Sequence, residues 1–158
     1  MTAATGGAQL ADTLAIQFPE MVMVSDEVSV LVEPDNLWDV CSYLKTDDAH
    51  RYDLLNLITA VDYVEYFEVV YHLTSITRNA TAVLKVRCYS RAEPTVPSIC
   101  DLWRGALMHE QEAYDLMGIV FTGHPDLRRI LLWEGFEGHP LRRDYLEPPL
   151  PYKWPHGG

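Results

Sequence analysis

The stretch from residue 81 to residue 90 reads TAVLKVRCYS and alternates apolar with charged side chains. Lys85 and Arg87 fall on one side of an extended chain, which is the period of two shown by a strand with one buried face. Residues 52–63 and 66–77 are two further strand candidates just before it. The chain is therefore predicted to build a sheet with one covered face, which in the third strand comprises Ala82, Leu84, Val86 and Cys88.

Helix signals precede these strands. Residues 9–18 can form a short helix, and residues 21–34 are typical of two strands with a turn at Ser25–Asp26. A second helix, capped by Asp35 or Asn36, has one apolar face. The order of elements predicts an α+β fold, with helices on one face of a two-layer, mixed, mostly antiparallel sheet. The apolar face of the second helix comprises Leu37, Val40, Cys41 and Leu44.

The longest predicted helix runs from Ser98 to Met117. Ser98 and Asp101 are spaced as a capping box, and Gly118 lies where a left-handed C-terminal cap belongs. Glu110 falls in the middle of the apolar stripe of this helix. The stripe comprises Ile99, Leu102, Trp103, Ala106, Ala113, Tyr114 and Met117.

A carboxylate on such a stripe needs a partner, because an unpaired buried charge costs several kcal/mol. We expect one of the four arginines that follow in the sequence to pair with Glu110. Glu112 and Asp115 are predicted to point away from its face. Structural pairing is the main interpretation of Glu110, with catalysis and a contact between subunits as the alternatives.

Composition restricts the class of protein. The chain has 158 residues, of which 48% are hydrophobic and 22% charged, as expected for one globular domain. A net charge of -11 argues against a generic nucleic-acid or anionic-membrane binder, which needs surplus Lys and Arg. No apolar run reaches the ~20 residues of a membrane span, and the start lacks a secretion signal. We expect a cytoplasmic protein.

No catalytic, cofactor or metal site is predicted. The three cysteines, Cys41, Cys88 and Cys100, form no CxxC pair and suit burial as reduced thiols. His109 and Glu110 begin a zinc-protease pattern, but Ala113 occupies the second histidine position. A free-standing hydrolase using His109 and Glu110 remains a distant alternative.

Two arginine pairs, Arg128–Arg129 and Arg142–Arg143, give the end of the chain a different charge. Residues 1–124 contain 18 acids and 7 bases, whereas residues 125–158 contain five of each. The pairs could hold phosphate, lie in solvent, or pair with carboxylates inside the chain and across an interface. No Gly-rich phosphate loop supports the first option.

The C-terminal region differs from the body in composition. Residues 1–122 are predicted to form the α+β domain and residues 123–158 a docking segment that is not an independent domain. Its proline-rich end, with Tyr152 and Trp154, cannot form a helix or a central strand. We predict an extended C-terminal tail, from Pro148 onward, that lies against another protein.

Three stretches carry a family resemblance: AVDY at 60–63, FEVVYHL at 67–73 and the long run EQEAYDLMGIVFTGHPDLRRILLWEGFEGHPLRRDY at 110–145. Together they resemble the 30-kilodalton subunit of respiratory complex I, the proton-pumping NADH:quinone oxidoreductase. Two positions depart from the family pattern, since Gln111 replaces an arginine and Met108 a tryptophan. The matching residues with an implied docking role are Glu110, Glu112, Tyr114, Asp115, Gly118, Gly123, His124, Pro125, Arg128, Arg129, Pro140, Arg142, Arg143, Asp144 and Tyr145.

The resemblance implies a connecting subunit without catalytic residues of its own. It implies that flavin and iron–sulfur clusters reside in partner subunits. The expected partners are the large quinone-site subunit and other hydrophilic-arm subunits, on the cytoplasmic side of a bacterial membrane. Related subunits serve membrane-bound hydrogenases and ferredoxin:quinone oxidoreductases, which remain alternatives.

Overall fold

The computed structural model describes residues 3–21 and 24–146. The helices are α1 (Gly7–Gln17), α2 (Leu37–Thr46) and α3 (Ala106–Met117), and a 3-10 turn at Pro34–Asn36 leads into α2. The strands are β1 (Ala3–Ala4), β2 (Val24–Ser25), β3 (Ser29–Leu31), β4 (Leu54–Asp62), β5 (Phe67–Ser75), β6 (Ala80–Cys88), β7 (Thr95–Pro97) and β8 (Val120–Thr122). Among the described residues, no helix is long and apolar enough to cross a membrane.

The main sheet is mixed and mostly antiparallel, as predicted. Its order is β2-β3-β6-β5-β4, and β1 also pairs with β6. The three long strands β4, β5 and β6 are antiparallel neighbours, whereas β1 and β3 each run parallel to β6. A separate two-stranded parallel sheet joins β7 to β8. The α+β class is confirmed.

One face of the main sheet is covered by helices, because alternate residues of its strands point toward them. Tyr71 of β5 lies between Ile58 of β4 and Leu84 of β6, and all three are buried. The predicted apolar face of α2 is also fully buried against this face. The opposite face carries the charged residues Lys85 and Arg87 and has no helical layer over it in the described part of the chain.

The predicted start of the longest helix is wrong. Helix α3 begins at Ala106 rather than Ser98, and residues 98–105 form turns. Ser98 caps no helix, because its hydroxyl bonds to Glu110 instead. The predicted cap at Gly118 is confirmed, with φ of 72°.

Short elements escaped prediction. Strands β7 and β8, which the sequence patterns did not predict, have three residues each. Asn36 does occupy the residue before α2, but its side chain makes no capping bond. The tail predicted from Pro148 onward lies outside the described residues.

Candidate docking surface

Residues 123–146, called the strap below, follow β8 and contain turns but neither helix nor strand. A segment of this kind needs bonds from elsewhere to fix its backbone. Three of the places where its residues meet the protein body are the C-terminal end of α3, the side chain of Asp115, and the end of β4 at Asp62.

The strap satisfies the carbonyl groups that α3 leaves unpaired. The last four carbonyls of any α-helix lack an intrahelical donor, and cations are favoured near them. In α3 one is bonded by the capping glycine and the other three by strap residues. The pairs, donor first, are Gly118 N to Tyr114 O at 2.8 Å, His139 Nδ1 to Asp115 O at 2.8 Å, Leu141 N to Leu116 O at 3.0 Å, and Arg142 Nε to Met117 O at 2.6 Å.

Gly118 is required at this junction for two reasons. Its φ of 72° lies in the left-handed region, which glycine adopts without steric cost. A side chain here would also collide with the strap, because an added Cβ would lie 2.6 Å from the His139 ring and 2.7 Å from the Arg142 guanidinium. The strap and the helix end therefore pack closely enough to exclude a methyl group.

Asp115 holds the beginning of the strap. Its buried Oδ2 accepts hydrogen bonds from three successive backbone N–H groups, and its Oδ1 accepts one from Arg129 Nη1 at 3.0 Å. Burial opposes the charge, but these donors outweigh it and lower the pKa of Asp115. The expectation that Asp115 points away holds for the face of Glu110, but the residue is not on a solvated face. The backbone donors are Ile130 at 3.0 Å, Leu131 at 2.7 Å and Leu132 at 3.0 Å.

Asp62, at the end of β4, holds the other end of the strap. The buried carboxylate receives both terminal nitrogens of Arg91, at 2.7 and 2.9 Å, and the backbone N–H of Arg143 at 2.9 Å. Arg91 Nη2 also lies 3.0 Å from Asp144 Oδ2. Hydrogen bonding to Arg91 lowers the pKa of Asp62. The strap is thus tied to the sheet through one carboxylate and one guanidinium.

The ring of Phe67 packs against the arginines at this end of the strap. The guanidinium groups of Arg91 and Arg142 lie 4.7 and 5.0 Å from the centre of the Phe67 ring. Arg142 Nη1 also donates to the carbonyl oxygen of Arg91 at 3.2 Å. Two cations over one buried ring gain attraction from its π-system.

The predicted partner of Glu110 is wrong. Its buried carboxylate accepts from Ser98 Oγ at 2.5 Å and from Ile99 N at 2.9 Å, and no Lys or Arg of the described residues forms an ion pair with it. Arg129, the nearest candidate in sequence, bonds Asp115 instead. Burial raises the pKa of Glu110. Glu110 therefore binds the turn that precedes α3, and it does not pair with an arginine.

The remaining predicted residues lie along and around the strap. Gln111 donates from Nε2 to the carbonyl of Asp126 at 2.7 Å. Arg128 is exposed and pairs with Asp126 at 2.8 Å. The other exposed ones are Glu112, Gly123, Pro125, Arg143 and Asp144, and the half-buried ones are Tyr114, His124, Pro140 and Tyr145.

Sequence reasoning missed the inner partners of the strap. Asp62, Phe67 and His139 lay within the stretches that carry the family resemblance, and that context was the available signal. Arg91 lay outside those stretches and had no role assigned to it. His109 is half-buried while its neighbour Glu110 is turned into the core. Among the described residues, no cluster of three or more His, Cys, Asp or Glu side chains is placed to hold a metal ion.

A family model described as respiratory-chain NADH dehydrogenase, 30 Kd subunit, matches residues 30–150. The chain belongs to this family. The matched range contains both buried carboxylates that hold the strap, the whole of α3 and the strap itself. The resemblance predicted from the sequence is confirmed.

Individual relatives agree with this assignment. The subunit designated C in the NADH-quinone oxidoreductase of Roseiflexus sp. (strain RS-1) is 42% identical over 148 residues, covering 89% of this chain and 84% of that protein. The mitochondrial NADH-ubiquinone oxidoreductase 30.4 kDa subunit of Neurospora crassa is 45% identical over 123 residues, covering 76% of this chain and 43% of that protein.

A solved structure shares the fold. A chain of the membrane-bound sulfane sulfur reductase, an archaeal respiratory membrane complex, superposes with a TM-score of 0.72. The sequences are 22% identical, and the match covers 87% of this chain and 84% of that one. At that identity the likeness concerns the fold alone.

Proposed function

We propose that this chain is a non-catalytic connecting subunit in the peripheral arm of a proton-pumping NADH:quinone oxidoreductase. It braces the large subunit that forms the quinone site and so supports electron transfer from NADH to quinone. The observation that carries the proposal is the strap, which is fixed to the body by inward bonds to Asp115, to Asp62 and to the end of α3. Its outward side chains are left available to a neighbour.

The outward side of the strap has the mixed character of a protein interface. Leu131 and Leu141 are 61% and 54% exposed, and the Arg143 side chain is exposed and forms no bond with the described residues. Exposed apolar groups beside arginine are typical of surfaces that a partner covers. Because the strap backbone is fixed, binding there would lose little conformational entropy.

The proposal assigns the redox groups to other subunits. Flavin and iron–sulfur clusters would belong to the partners, and this chain would reach the membrane only through them, on the cytoplasmic side. The net charge of -11 supports a protein partner rather than nucleic acid or anionic lipid.

The test is to isolate the tagged full-length chain from its own membranes under mild detergent and to identify the co-purifying proteins. We expect a quinone-site subunit and NADH:quinone activity in the isolated assembly, but none in the free chain. Leu141→Asp should reduce recovery of the assembly, whereas Ile76→Asp, at an apolar residue in the β5–β6 turn that is 65% exposed, should not. Recovery of the chain alone would contradict the proposal.

Activity measurements on the same preparation identify the electron donor of the complex. Reduction of quinone by NADH supports the proposed complex, whereas reduction only by ferredoxin or hydrogen would place the chain in one of the related membrane complexes. The 42% identity with a NADH-quinone oxidoreductase subunit favours NADH.

A further inference from the structure

The turn between β4 and β5 is strained. Tyr63 N donates to Tyr66 O at 2.9 Å, which closes a tight turn with Val64 and Glu65 at its tip. Val64 has φ of 73°, a conformation that β-branched residues rarely adopt. Its side chain is nevertheless 54% exposed, so no burial of that side chain compensates for the strain.

The groups that hold this turn are the same ones that hold the strap. Val64 N donates to Asp62 Oδ1 at 2.8 Å, and Val64 O accepts from Arg91 Nη1 at 2.9 Å. Asp62 also binds the backbone of Arg143, and Arg91 also binds Asp144. The turn and the end of the strap are therefore fixed relative to each other through one ion pair.

Aromatic side chains cover the outer side of the turn. Tyr63, Val64, Tyr66 and Tyr89 are called the tyrosine patch below. The ring centres of Tyr63 and Tyr66 are 5.1 Å apart, and those of Tyr66 and Tyr89 are 5.7 Å apart. Tyr63 is 46% and Tyr89 66% exposed. Rigidly held tyrosines of this kind are favoured at the centres of protein interfaces.

At the patch itself, the charge without a partner is an acid. Arg87 lies over the Tyr66 ring at 4.6 Å but is paired with Glu68 at 2.9 Å, and Arg91 is occupied as described. Glu65, at the tip, is exposed and forms no bond with the described residues. At the end of the strap the free charges are mixed, because Glu137 and Arg143 are both exposed and neither is in an ion pair with the described residues. At the patch, a free carboxylate and open tyrosine faces together suit an incoming cation.

We propose that the tyrosine patch and Glu65 form a docking surface, beside residues 142–146 of the strap, for a protein partner that presents lysine or arginine side chains. Asp62 and Arg91 keep the patch in register with the end of the strap. The inference rests on the proposed function, since the partner would be another subunit of the same assembly. It adds a second contact region, which precedes α3 and the strap in sequence, and specifies the charge of the partner.

Photo-crosslinking in the complete assembly tests the location. p-Benzoylphenylalanine is introduced at Tyr63, Tyr89, Leu141 or Ile76 of the full-length chain, membranes are irradiated, and adducts are identified by mass spectrometry. We expect adducts to a partner subunit from Tyr63 and Tyr89, at a peptide containing Lys or Arg, and none from Ile76. Adducts to lipid, to a second copy of this chain, or to an acidic peptide would overturn the inference.

The Leu141 position separates the two proposals. Adducts from Leu141 without any from Tyr63 and Tyr89 would refute the tyrosine patch and leave the proposed function intact. Failure of the unmodified chain to co-purify with other subunits would refute the proposed function itself, and the inference would fail with it.

Charge reversal tests the chemistry of the partner. Glu65→Lys should lower recovery of the assembly by at least about fivefold, because like charges would then meet across the interface. Asp48→Lys makes the same acid-to-lysine change at an exposed residue whose backbone carbonyl accepts from Arg78, at the opposite end of the sheet, and should leave recovery unchanged. Thermal unfolding of each free variant verifies folding. Equal recovery of both variants, with both folded, would refute a basic partner.

Discussion

The strap side of the molecule and the open face of the main sheet both contain ion pairs, and the pairs Asp115–Arg129 and Asp26–Lys85 differ in burial. On the open face, Lys85 Nζ lies 3.0 Å from Asp26 Oδ2, and the Asp26 side chain is more than half exposed. On the strap side, Asp115 has no exposed side-chain surface and is surrounded by four donors. The chemistry is the same in both places, and only the access of water differs.

This difference decides what each network does. Exposed pairs are screened by solvent and contribute roughly 0–1 kcal/mol. Breaking a buried pair leaves an unpaired charge and costs about 3–5 kcal/mol. The network around Asp115 is therefore a structural tie, whereas the Lys85–Asp26 pair of the open face is mainly solvated. An arginine in the strap that is tied inward, such as Arg129, is not available to a partner.

The largest effect is expected from Asp115→Ala. The change leaves Arg129 and three backbone N–H groups without their acceptor, so unfolding free energy should fall by about 3–5 kcal/mol. Urea denaturation followed by circular dichroism measures this loss. Hydrogen exchange should accelerate at the amides of Ile130, Leu131 and Leu132.

The matched control is Asp126→Ala, which removes an exposed carboxylate paired with Arg128 in the same strap. Its effect should stay within about 0.5 kcal/mol. Similar losses from both variants would show that burial does not separate the two kinds of ion pair.

Alanine substitutions at two glycines compare a position packed against the strap with a position in open space. Gly118→Ala introduces both an unfavourable φ and a collision with His139 and Arg142, so a loss of about 2–3 kcal/mol is expected. Gly123→Ala has a similar φ of 84° but open space around its Cβ, so only about 1 kcal/mol is expected. The difference in melting temperature between these variants measures how tightly the strap packs. Equal losses of unfolding free energy would mean that the strap moves away from the added methyl group without a cost in stability.

The sequence predicted most of the body and less of the site, for a physical reason. Period-two alternation identified the central strands, and helical spacing identified the buried face of α2. These are local patterns. The true start of α3 depends on Ser98 reaching Glu110 across 12 residues, and a local capping pattern at Ser98 cannot reveal that contact.

The site residues were identified by family resemblance, but the direction in which they point was not. Neither helix periodicity nor the motif indicates that the strap returns over α3 and supplies donors to Asp115. The Asp62–Arg91 pair joins residues 29 positions apart, one of them in a loop. Tertiary folding of an irregular segment decides which arginines are inward and which are outward.

The pH dependence of stability also distinguishes the buried carboxylates from one another, because their contributions change in opposite directions as pH rises. The pKa values of Asp62 and Asp115 are lowered from 3.8, so their stabilisation is present above that pH and is lost as pH falls through the folded-state values. Burial raises the pKa of Glu110 above 4.5, so its stabilisation is present below 4.5 and is lost as pH rises.

The substitution Glu110→Gln tests the predicted loss of stabilisation at Glu110 as pH rises. The amide keeps an acceptor for Ile99 N but removes the ionisation, so the variant should gain stability relative to the native chain between pH 4 and pH 7. Urea denaturation at pH 4, 5.5 and 7 measures the difference in unfolding free energy. A difference that stays constant, or moves the other way, would show that Glu110 is not held in a poorly solvated site.

The smallest effect is expected on the open face. Lys85→Met keeps the apolar stem of the side chain and removes only the charge that lies 3.0 Å from Asp26 and 3.9 Å from Glu68. Unfolding free energy should change by less than about 1 kcal/mol, and the change should shrink further in 0.5 M salt, because exposed pairs are screened. Denaturation at low and high salt measures both quantities. A loss above 2 kcal/mol that persists in salt would mean that Glu68, buried on this face, depends on Lys85 as strongly as Asp115 depends on Arg129, and the contrast between the two sides would then disappear.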